Sequence, residues 1–488
     1  MPTVSELQRT LEEALDHHRN GRLNAALQGY DAFIAAEANF APALNNRGNL
    51  LTAMGRPAEA LASLEAAIAL NPDYAEAYSN RGNALRDLKR PDEALASYDK
   101  AIALRPAFAQ AHSNRGNALF DLGRTAEALA SYDQSIDLAP GLADAHVNRG
   151  AALYRLNRPR DAIVSYGQAI AIDPGNADAH YQQSLAMLLV GDFDAGWRAY
   201  EWRKQRGAQR SMTLPRGDGW LGERDISRST LLAYSEQGFG DTIQFCRFLG
   251  ALETRCARLI VQVQPELKAL LRANFSSATV IDTAETPPAF DAHCALMSLP
   301  LALGVGPDGF ACDGPYLHAE PQLRALWQAS VAQTGKPRVG IVWSGAAYHL
   351  DDRNRSIPIG RLAPLLSPKI DWVCLQNHLR PGDGEALETL PQVAYHGEGL
   401  KTFADTAALI DLLDLVICVD TSVAHLAGAM GKPVWILLPF SPDWRWRLDR
   451  TDSPWHPTAR LFRQLAPGDW ASVLKRVGRE LSGALASG

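Results

Sequence analysis

A spacing of 34 residues is the feature that most constrains the fold of this chain. Small residues recur at this interval at two positions, and proline recurs at a third. A fixed period of this length predicts that one supersecondary unit is repeated and that neighbouring units stack. The small residues would let two helices cross closely, and the proline would end each unit. The residues in phase are Gly48, Gly82, Gly116 and Gly150; Ala60, Ala94, Ala128 and Ala162; and Pro72, Pro106, Pro140 and Pro174.

A large side chain adds a fourth position in phase, with Leu64 followed by Tyr98, Tyr132 and Tyr166. The combined pattern resembles the tetratricopeptide repeat (TPR), a helix–turn–helix unit. Four units are clear between about residues 41 and 176. A weaker unit that contains Tyr30 precedes them, and a degenerate one that contains Tyr200 follows. The resemblance implies an α-helical TPR superhelix of five to six repeats over residues 1–205.

Asparagine repeats with the same period, each time followed by Arg and Gly, at Asn46, Asn80, Asn114 and Asn148. In TPR superhelices this position lies on the first helix of the unit, which lines the concave groove. The pattern resembles the asparagine ladder of O-linked N-acetylglucosamine transferase. Because an amide both donates and accepts, such a ladder would hold an extended peptide or protein partner without reading its sequence. The alternative is that the asparagines bond to local backbone groups or reflect duplication of one unit.

Composition narrows the class of protein. The net charge of −6 is mild, which argues against a dedicated nucleic-acid binder. No apolar run approaches the roughly 20 residues of a membrane helix, so we expect no transmembrane segment. The six cysteines form no CxxC pair, which disfavours a disulfide framework or a zinc site. We therefore expect a cytoplasmic protein.

After residue 205 the pattern changes. A polar stretch over residues 206–228 predicts a linker. Alternating strand and helix candidates follow in two series, which predicts parallel sheets covered by helices on both faces. We place an amino-terminal Rossmann-like lobe at 229–333 and a carboxyl-terminal one at 334–488. The strand candidates are 231–235, 259–264, 279–282, 338–345, 372–376, 392–397 and 415–419, and the last of these is followed by a strand that ends at Leu438.

The stretch from Leu415 to Leu438 predicts a buried strand, a polar turn, a short helix that stops at Gly431, and a second buried strand. A helix that starts at the carboxyl end of a parallel strand points its free N–H groups and positive dipole end into a crevice, which favours phosphate or another anion. Thr421 and Ser422 would donate from the turn, and His425 lies one turn inside the helix. The alternative is a capped helix with a buried core histidine.

Three segments in order, residues 236–245, 342–358 and 419–450, resemble the TPR-linked branch of glycosyltransferase family 9, whose relatives include the lipopolysaccharide heptosyltransferases. The resemblance covers about residues 190–485. It implies a GT-B fold of two Rossmann-like lobes, a nucleotide-sugar donor as substrate, no metal or other cofactor, and inversion at the anomeric carbon. The amino-terminal lobe is short beside those of the heptosyltransferases, so the acceptor differs or is presented by the TPR arm.

The resemblance implies that Asp241 is the general base, which takes the proton of the acceptor hydroxyl. Gln237, Gly238 and Gly240 would form an acceptor-side loop, with the glycines letting the backbone pass close to a ligand. The alternative for Asp241 is an N-cap of the following helix. Glu236 and Gln237 could instead fill that task or bind the acceptor.

The donor side would be built from the ends of strands in the second lobe. Helix N-termini, hydroxyls and cationic side chains must neutralise the leaving diphosphate in the absence of a metal. Asp420 would hold the loop, since a carboxylate repels phosphate. The alternative for the arginines, which lie in the loop 351–356, is a solvated charged loop. The candidates are Ser344, Gly345, Arg353, Arg355, Gln376, Asp420, Thr421, Ser422 and His425.

A run of tryptophans and arginines over residues 443–457 has two interpretations. It stacks on a base or sugar, or it forms a hydrophobic clasp for the carboxyl-terminal helix. For the whole chain, the leading hypothesis is a glycosyltransferase with a protein acceptor in the TPR groove. The alternatives are a non-catalytic TPR scaffold with a degenerate transferase domain, and another GT-B enzyme such as a sugar-nucleotide epimerase.

Overall fold

A computed structural model describes residues 3–207, 218–306, 314–331, 334–347 and 352–486. The chain divides into two compact units, Met1–Gln183 and Ser184–Gly488. The first unit is entirely helical where it is described, and the second contains two parallel sheets. Within the described ranges, no helix is both long and apolar enough to cross a membrane.

The first unit is a succession of helix pairs, as the repeat predicts. The pair that precedes the four clear units is complete, although its sequence pattern is weaker. Its first helix begins with a capping box in which Thr3 and Glu6 exchange hydrogen bonds. The helices are α1 (Val4–Arg19), α2 (Leu23–Ala36), α3 (Ala41–Ala53), α4 (Pro57–Leu70), α5 (Ala75–Asp87), α6 (Pro91–Leu104), α7 (Ala109–Asp121), α8 (Thr125–Leu138), α9 (Ala143–Arg155) and α10 (Pro159–Ile172), followed by α11 (Ala177–Val190), which crosses the boundary between the units.

The repeated glycines mark the points where the helices of a pair cross. A Cβ atom on Gly82 would lie 2.5 Å from Cε1 of Tyr98, and one on Gly48 would lie 2.5 Å from Cγ of Leu64. Tyr98 is fully buried, and its hydroxyl donates to Oδ1 of Asn83 over 2.7 Å. The period therefore predicts the interior of each repeat correctly, because one missing side chain makes room for one large ring.

The arginine that follows each repeated asparagine joins neighbouring repeats. Each one reaches back 16 residues to an acidic side chain on the second helix of the preceding repeat. The four pairs are Arg47–Asp31 (2.6 Å), Arg81–Glu65 (3.5 Å), Arg115–Asp99 (2.6 Å) and Arg149–Asp133 (2.6 Å). These partly exposed pairs contribute about 0–1 kcal/mol each. We call them the inter-repeat ion pairs.

The first lobe of the second unit is a five-stranded parallel sheet in the order β1-β5-β2-β3-β4. The edge strand β1 pairs with β5, so the linker predicted over 206–228 is in part a strand of the lobe; residues 208–217 lie outside the described ones. The strands are β1 (Asp218–Gly219), β2 (Thr230–Tyr234), β3 (Arg258–Val263), β4 (Thr279–Asp282) and β5 (Ala292–Ala295). The helices are α13 (Phe239–Phe245), α14 (Leu249–Glu253), α15 (Pro265–Asn274) and α16 (Leu299–Ala302).

The second lobe is a six-stranded parallel sheet in the order β11-β10-β9-β6-β7-β8. Its edge strand β11 is not predicted from the sequence. The core contains Trp343 and Trp372, which are 1% exposed. The strands are β6 (Arg338–Val342), β7 (Asp371–Cys374), β8 (Val393–Tyr395), β9 (Leu415–Val419), β10 (Val434–Leu438) and β11 (Ala459–Arg463). The helices are α17 (Pro321–Ser330), α18 (Asp352–Arg355), α19 (Asp383–Glu388), α20 (Phe403–Asp411), α21 (Ser422–Ala429) and α22 (Trp470–Ala486).

The boundary between the units lies at residue 183 rather than at 205. The last helix that we assigned to the TPR region, α12 (Phe193–Tyr200), belongs to the second unit. Its Trp197 packs edge-on against Phe245 and Trp444, with ring centroids 6.0 Å and 5.3 Å away. The sequence repeat continues into this segment, but the aromatic contacts fix it to the α/β unit.

Candidate functional site

The predicted strand–turn–helix–strand unit is present. Strand β9 ends at Val419, α21 begins at Ser422, and Gly431 takes a φ of +68° after the helix ends. Such a φ favours glycine and explains the helix stop. The unit places the N-terminus of α21 at the carboxyl end of a central parallel strand, where ligands of open α/β sheets bind.

Two hydroxyls at this edge of the sheet are buried without a hydrogen-bond partner. Thr421 is 9% exposed and Ser344 is 3% exposed, and neither Oγ1 of Thr421 nor Oγ of Ser344 is paired among the described residues. Thr421 is the N-cap residue of α21, yet its side chain makes no capping bond. Since an unpaired buried hydroxyl costs free energy, these two groups are candidates for contact with a polar ligand.

Arg355 spans the ends of β6 and β9. Its Nη1 atom donates to the carbonyl of Asp420 over 3.0 Å, and a Cβ atom on Gly345 would lie 2.5 Å from its Nη2 atom. Its Nε atom is buried and makes no hydrogen bond to the described residues, although it lies 3.8 Å from Oδ1 of Asp352. Arg353 is exposed, so of the two predicted arginines Arg355 lies at the site. Asp351 of the same loop lies outside the described residues.

Arg380 is a residue of this edge that the sequence did not indicate. Its Nη2 atom donates to Oδ2 of Asp352 over 2.6 Å and to the carbonyl of Gly345 over 2.8 Å. Asp352 also accepts from the hydroxyl of Ser356 over 2.8 Å. The charged loop is therefore tied to the sheet rather than solvated, and its hydrogen bonds orient Arg355.

Gln376 ends the neighbouring strand, as predicted, but its amide is engaged. It accepts from the N–H of Ser344 over 3.4 Å and donates to the carbonyl of Ser344 over 3.1 Å. The side chain is 7% exposed. It joins the ends of β6 and β7, and a contact with a base or ribose stays a prediction.

His425 is buried inside α21 and packs against two other rings. Its imidazole stacks on Trp446 with centroids 5.2 Å apart, and its Nδ1 atom lies 3.2 Å from Nε2 of His456. Burial holds the pKa of His425 well below its usual range, and the guanidinium groups of Arg445, Arg247 and Arg355 lower it further. The ring is therefore neutral at physiological pH and would contribute a hydrogen bond to an anion rather than a charge.

Asp420 lies between the strand and the turn. Burial raises the pKa of Asp420 to about 6, and the nearby carboxylate of Asp443 raises it too, whereas Arg355 opposes the rise. Its main-chain carbonyl receives Arg355. This contact uses the main chain, so the role of the Asp420 carboxylate in holding the loop stays a prediction.

Asp241 lies in the first lobe, on the third residue of α13. The helix begins at Phe239 with Gly238 as cap, so the predicted N-cap position for Asp241 is wrong. Its Oδ2 atom instead accepts from the N–H of Gly238 over 2.9 Å. Its Oδ1 atom accepts from Nη2 of Arg445 in the second lobe.

Arg445 is the main residue that the sequence analysis missed, although the run 443–457 was noted. It is 7% exposed, and its Nε and Nη1 atoms donate to Gln244 over 2.6 Å and to Asp443 over 2.9 Å. Burial would lower the pKa of Arg445, but Asp443 and Asp241 outweigh burial and raise it. Arg445 is therefore permanently charged. We call Arg445, Asp241, Asp443 and Gln244 the Arg445 cluster.

The acceptor-side loop packs against the second lobe. A Cβ atom on Gly240 would lie 3.0 Å from Cδ2 of His425 and 3.5 Å from Cα of Ser422. Gly240 thus allows α13 and α21 to approach closely across the two lobes, a contact that we had expected a ligand to make. The Nε2 atom of Gln237 donates to the hydroxyl of Tyr200 over 3.1 Å, which ties the loop to α12.

Glu236 does not suit the role of an alternative base. Its carboxylate accepts from Nε and Nη2 of Arg203, and its side chain is 5% exposed. Arg203 is fully buried and also contacts Glu201 and Ser298. This ion pair fixes the segment after α12 to the first lobe.

The tryptophans of the run 443–457 are core residues. Trp444 and Trp455 are 2% exposed and Trp446 is fully buried. Trp444 meets Trp197 and Trp455, and Arg447 donates to the carbonyl of Val190 over 3.1 Å. The run therefore packs within the second unit and holds α12, rather than presenting open rings for stacking or clasping only the last helix.

In the first unit, the repeated asparagines are partly used locally. Asn80 donates to Oδ1 of Asn45 over 2.8 Å, and Asn114 accepts from Gln110 over 3.0 Å. Asn46 lies 3.4 Å from the amide of Asn45. Asn46, Asn80 and Asn148 remain half-buried, and Asn114 is 8% exposed. These bonds go to other side chains rather than to local backbone groups, so neither the alternative interpretation nor peptide binding is tested, and both stay predictions.

Fold and site together define a protein with a helical TPR solenoid followed by a parallel-sheet α/β region of the GT-B kind. Residues 48–89, 82–123 and 116–157 match the TPR repeat model, residues 143–176 match the tetratricopeptide repeat model, and residues 399–464 match glycosyltransferase family 9 (heptosyltransferase). The chain thus carries segments that match TPR repeats and glycosyltransferase family 9, and the family 9 match covers part of the residues 190–485 over which the sequence shows the resemblance.

Individual proteins are similar to parts of this chain. The chain is 28% identical to Protein FlbA of Caulobacter vibrioides over 330 residues, which are 60% of this chain and 53% of FlbA. It therefore spans about half the length of that curated relative. The crystal structure of MamA protein is 23% identical, covering 35% of this chain and 93% of MamA, with a TM-score of 0.30. A thermophilic TPR protein in Thermus thermophilus is 21% identical, covering 37% of this chain and 99% of that protein, with a TM-score of 0.34.

Proposed function

We propose that the α/β unit transfers a sugar from a nucleotide-sugar donor to an acceptor hydroxyl, with inversion at the anomeric carbon and without a metal. The observation that carries this proposal is the pair of unpaired buried hydroxyls, Thr421 Oγ1 and Ser344 Oγ, at the carboxyl edge of the second sheet. They flank the N-terminus of α21, where N–H groups and the helix dipole favour an anion. A donor diphosphate meets each of these requirements.

The reaction would be a single displacement. The acceptor oxygen attacks the anomeric carbon, the bond from that carbon to the diphosphate oxygen breaks, and the leaving diphosphate takes the electron pair. The acceptor proton passes to the carboxylate of Asp241. Arg355, the N–H groups of α21 and a hydrogen bond from neutral His425 would stabilise the charge on the leaving group, in place of a metal.

The acceptor in this proposal is a protein whose extended segment binds the first helices of the TPR unit. Asn46, Asn80 and Asn148 keep part of their surface exposed. A side-chain amide that donates to a neighbour, as that of Asn80 does, can still accept a hydrogen bond through its oxygen. TPR repeats support a protein partner in general terms, since concave solenoid surfaces serve as binding surfaces. A cytoplasmic location remains part of the proposal.

Incubation with a panel of nucleotide sugars tests the enzymatic proposal. We expect release of one nucleoside diphosphate, and isothermal titration with the same nucleoside diphosphate should show binding in the presence of EDTA. Thr421→Val together with Ser344→Ala should weaken that binding. Absence of both turnover and nucleotide binding would overturn the proposal.

One observation favours a second candidate, a TPR scaffold with an inactive α/β unit. Both oxygens of Asp241 already accept a hydrogen bond, from Gly238 and from Arg445, so the proposed base is ion-paired in this structure. A scaffold predicts that peptide capture by the TPR unit survives Asp241→Asn while no nucleotide sugar is consumed by the wild type. The enzymatic proposal predicts consumption by the wild type that Asp241→Asn abolishes.

A further inference from the structure

The contact between Asp241 and Arg445 links residues 204 positions apart and joins the two lobes of the second unit. It is not a surface pair, since the Arg445 side chain is 8% exposed and that of Asp241 is 22% exposed. The guanidinium group lies over the ring of Trp444, 4.3 Å from its centroid, and 5.9 Å from that of Phe245. A charge in this setting is weakly screened by solvent, so replacing one charged partner of Arg445 by another would change its interaction energy strongly.

The described arrangement is unsuited to proton transfer. A carboxylate that accepts a main-chain N–H and a guanidinium group is stabilised in its charged form, which disfavours protonation. Each oxygen of Asp241 keeps a second lone pair, but the ion pair with Arg445 lowers the proton affinity of the whole carboxylate. If Asp241 is the base, a displacement of Arg445 would make it a stronger one.

Arg445 also lies within electrostatic reach of the donor side. Its charge lowers the pKa of His425, after burial, and its neighbour Trp446 stacks on that ring. Around α21 the structure brings together three guanidinium groups, from Arg445, Arg247 and Arg355, which act on His425. The carboxylates of Asp443 and Asp241 act on Arg445. A diphosphate at Thr421 and Ser422 would add negative charge that competes for Arg445.

We propose that Arg445 is a positioning residue that holds Asp241 in a locked state, and that a bound donor diphosphate draws Arg445 away and so frees the carboxylate to accept a proton. This inference rests on the function proposed above. It makes the base available only when a donor is present, and it assigns Gln244 and Asp443 the task of retaining Arg445 at the lobe interface during the exchange.

A double-mutant cycle on ligand affinity tests the exchange without needing turnover. Isothermal titration with ADP, GDP, UDP and inorganic pyrophosphate is carried out on the full chain and on Asp241→Asn, Arg445→Gln and the double variant. If the diphosphate competes with Asp241 for Arg445, Asp241→Asn should bind the diphosphate about tenfold more tightly than the wild type. In the Arg445→Gln background the same change should alter affinity by less than about twofold.

Arg445→Lys serves as the second background, because it keeps the charge and remains usable if Arg445→Gln does not fold. Lysine is a single ammonium donor and cannot bind Asp241, Asp443 and Gln244 in the geometry of a guanidinium group. Here Asp241→Asn should tighten binding by less than in the wild type. A merely structural role for Arg445 would weaken the fold in each variant but would not make the effect of Asp241→Asn depend on residue 445.

The outcomes separate the two proposals. If Asp241→Asn tightens diphosphate binding equally in every background, the effect is simple removal of a negative charge, and the proposed exchange of Arg445 is overturned. An unchanged or weaker diphosphate affinity of Asp241→Asn would also overturn it. Either result leaves the transferase proposal standing. If none of the four probes binds the wild type, the donor site itself is refuted, and the exchange falls with it.

Discussion

The Nδ1 atom of His425 lies 3.2 Å from Nε2 of His456, and both rings are buried. At this separation one ring donates a hydrogen bond and the other accepts it, so the accepting nitrogen cannot be protonated without losing the contact. Burial holds the pKa of His456, like that of His425, well below its usual range, and Arg247 lowers it further. The pair is a neutral element at the centre of a strongly charged site.

The histidine pair predicts that the protein loses stability in mild acid. Both pKa values are lower in the folded than in the unfolded chain, so stability is present above about pH 6.5 and is lost as the pH falls below it. Urea unfolding at pH 8 and pH 5 should show a smaller loss for His425→Gln than for the wild type. His378→Gln, at an exposed position, is the control and should follow the wild type. Identical losses in all three proteins would contradict the prediction.

Asp420 predicts the opposite trend. Its folded pKa of about 6 lies above the unfolded value of 3.8, so its contribution is favourable when it is protonated and is lost as the pH rises from about 4 to 6. Asp420→Asn should therefore be more stable than the wild type at pH 8, with the difference shrinking to zero near pH 4. Chemical denaturation across this range measures the effect. A constant difference at all pH values would show that Asp420 does not titrate in this window.

Removing the hydroxyl of Thr421 should weaken ligand binding without lowering the stability of the fold. Because its hydroxyl is buried without a partner, Thr421→Val should leave the free energy of unfolding unchanged or raise it by up to about 1 kcal/mol. The same change should weaken nucleoside diphosphate binding about tenfold, since it removes one charge-assisted hydrogen bond. Thr406→Val is the control: Thr406 donates to the carbonyl of Thr402 over 3.3 Å, so this change should destabilise the fold slightly and spare binding. Loss of stability without loss of binding in Thr421→Val would refute the ligand role.

A side chain added at Gly82 should destabilise the crossing of α5 and α6. A Cβ atom there would lie 2.5 Å from the ring of the fully buried Tyr98, so Gly82→Ala should cost about 1–3 kcal/mol in the free energy of unfolding of the helical unit. Gly141→Ala is matched, because a Cβ atom at that exposed turn would meet nothing within 4 Å. Thermal unfolding followed by circular dichroism compares the two. A neutral Gly82→Ala would mean that Tyr98 moves without cost.

Much of the fold could be predicted from local sequence patterns. Gly82 and Tyr98 both recur every 34 residues. This shared period predicts a helix crossing, because the ring of the tyrosine occupies the space left by the missing side chain of the glycine. The strand, turn and helix around Thr421 follow from an apolar run, a polar turn and a terminal glycine. Each of these signals lies within one stretch of chain, where spacing translates directly into geometry.

The Arg445 cluster could not be predicted from local sequence patterns. Asp241 and Arg445 come from different lobes, and nothing in the sequence spacing says that α13 meets the segment after β10. The tryptophans beside Arg445 were open to two interpretations because an interleaved aromatic and cationic run suits both a ligand surface and a core. Burial decides the matter, and burial depends on packing partners such as Trp197 that are distant in sequence.

The inter-repeat ion pairs have a consequence for how this arm could change in evolution. Each arginine meets an acidic side chain 16 residues before it, so removing or adding one block of 34 residues returns every remaining arginine to a carboxylate. Excision of residues 70–103, for example, would bring Arg115 into the position that Arg81 now holds opposite Glu65. Unequal recombination between units would thus lengthen or shorten the arm without stranding a charge, and length becomes a trait that selection can adjust one unit at a time.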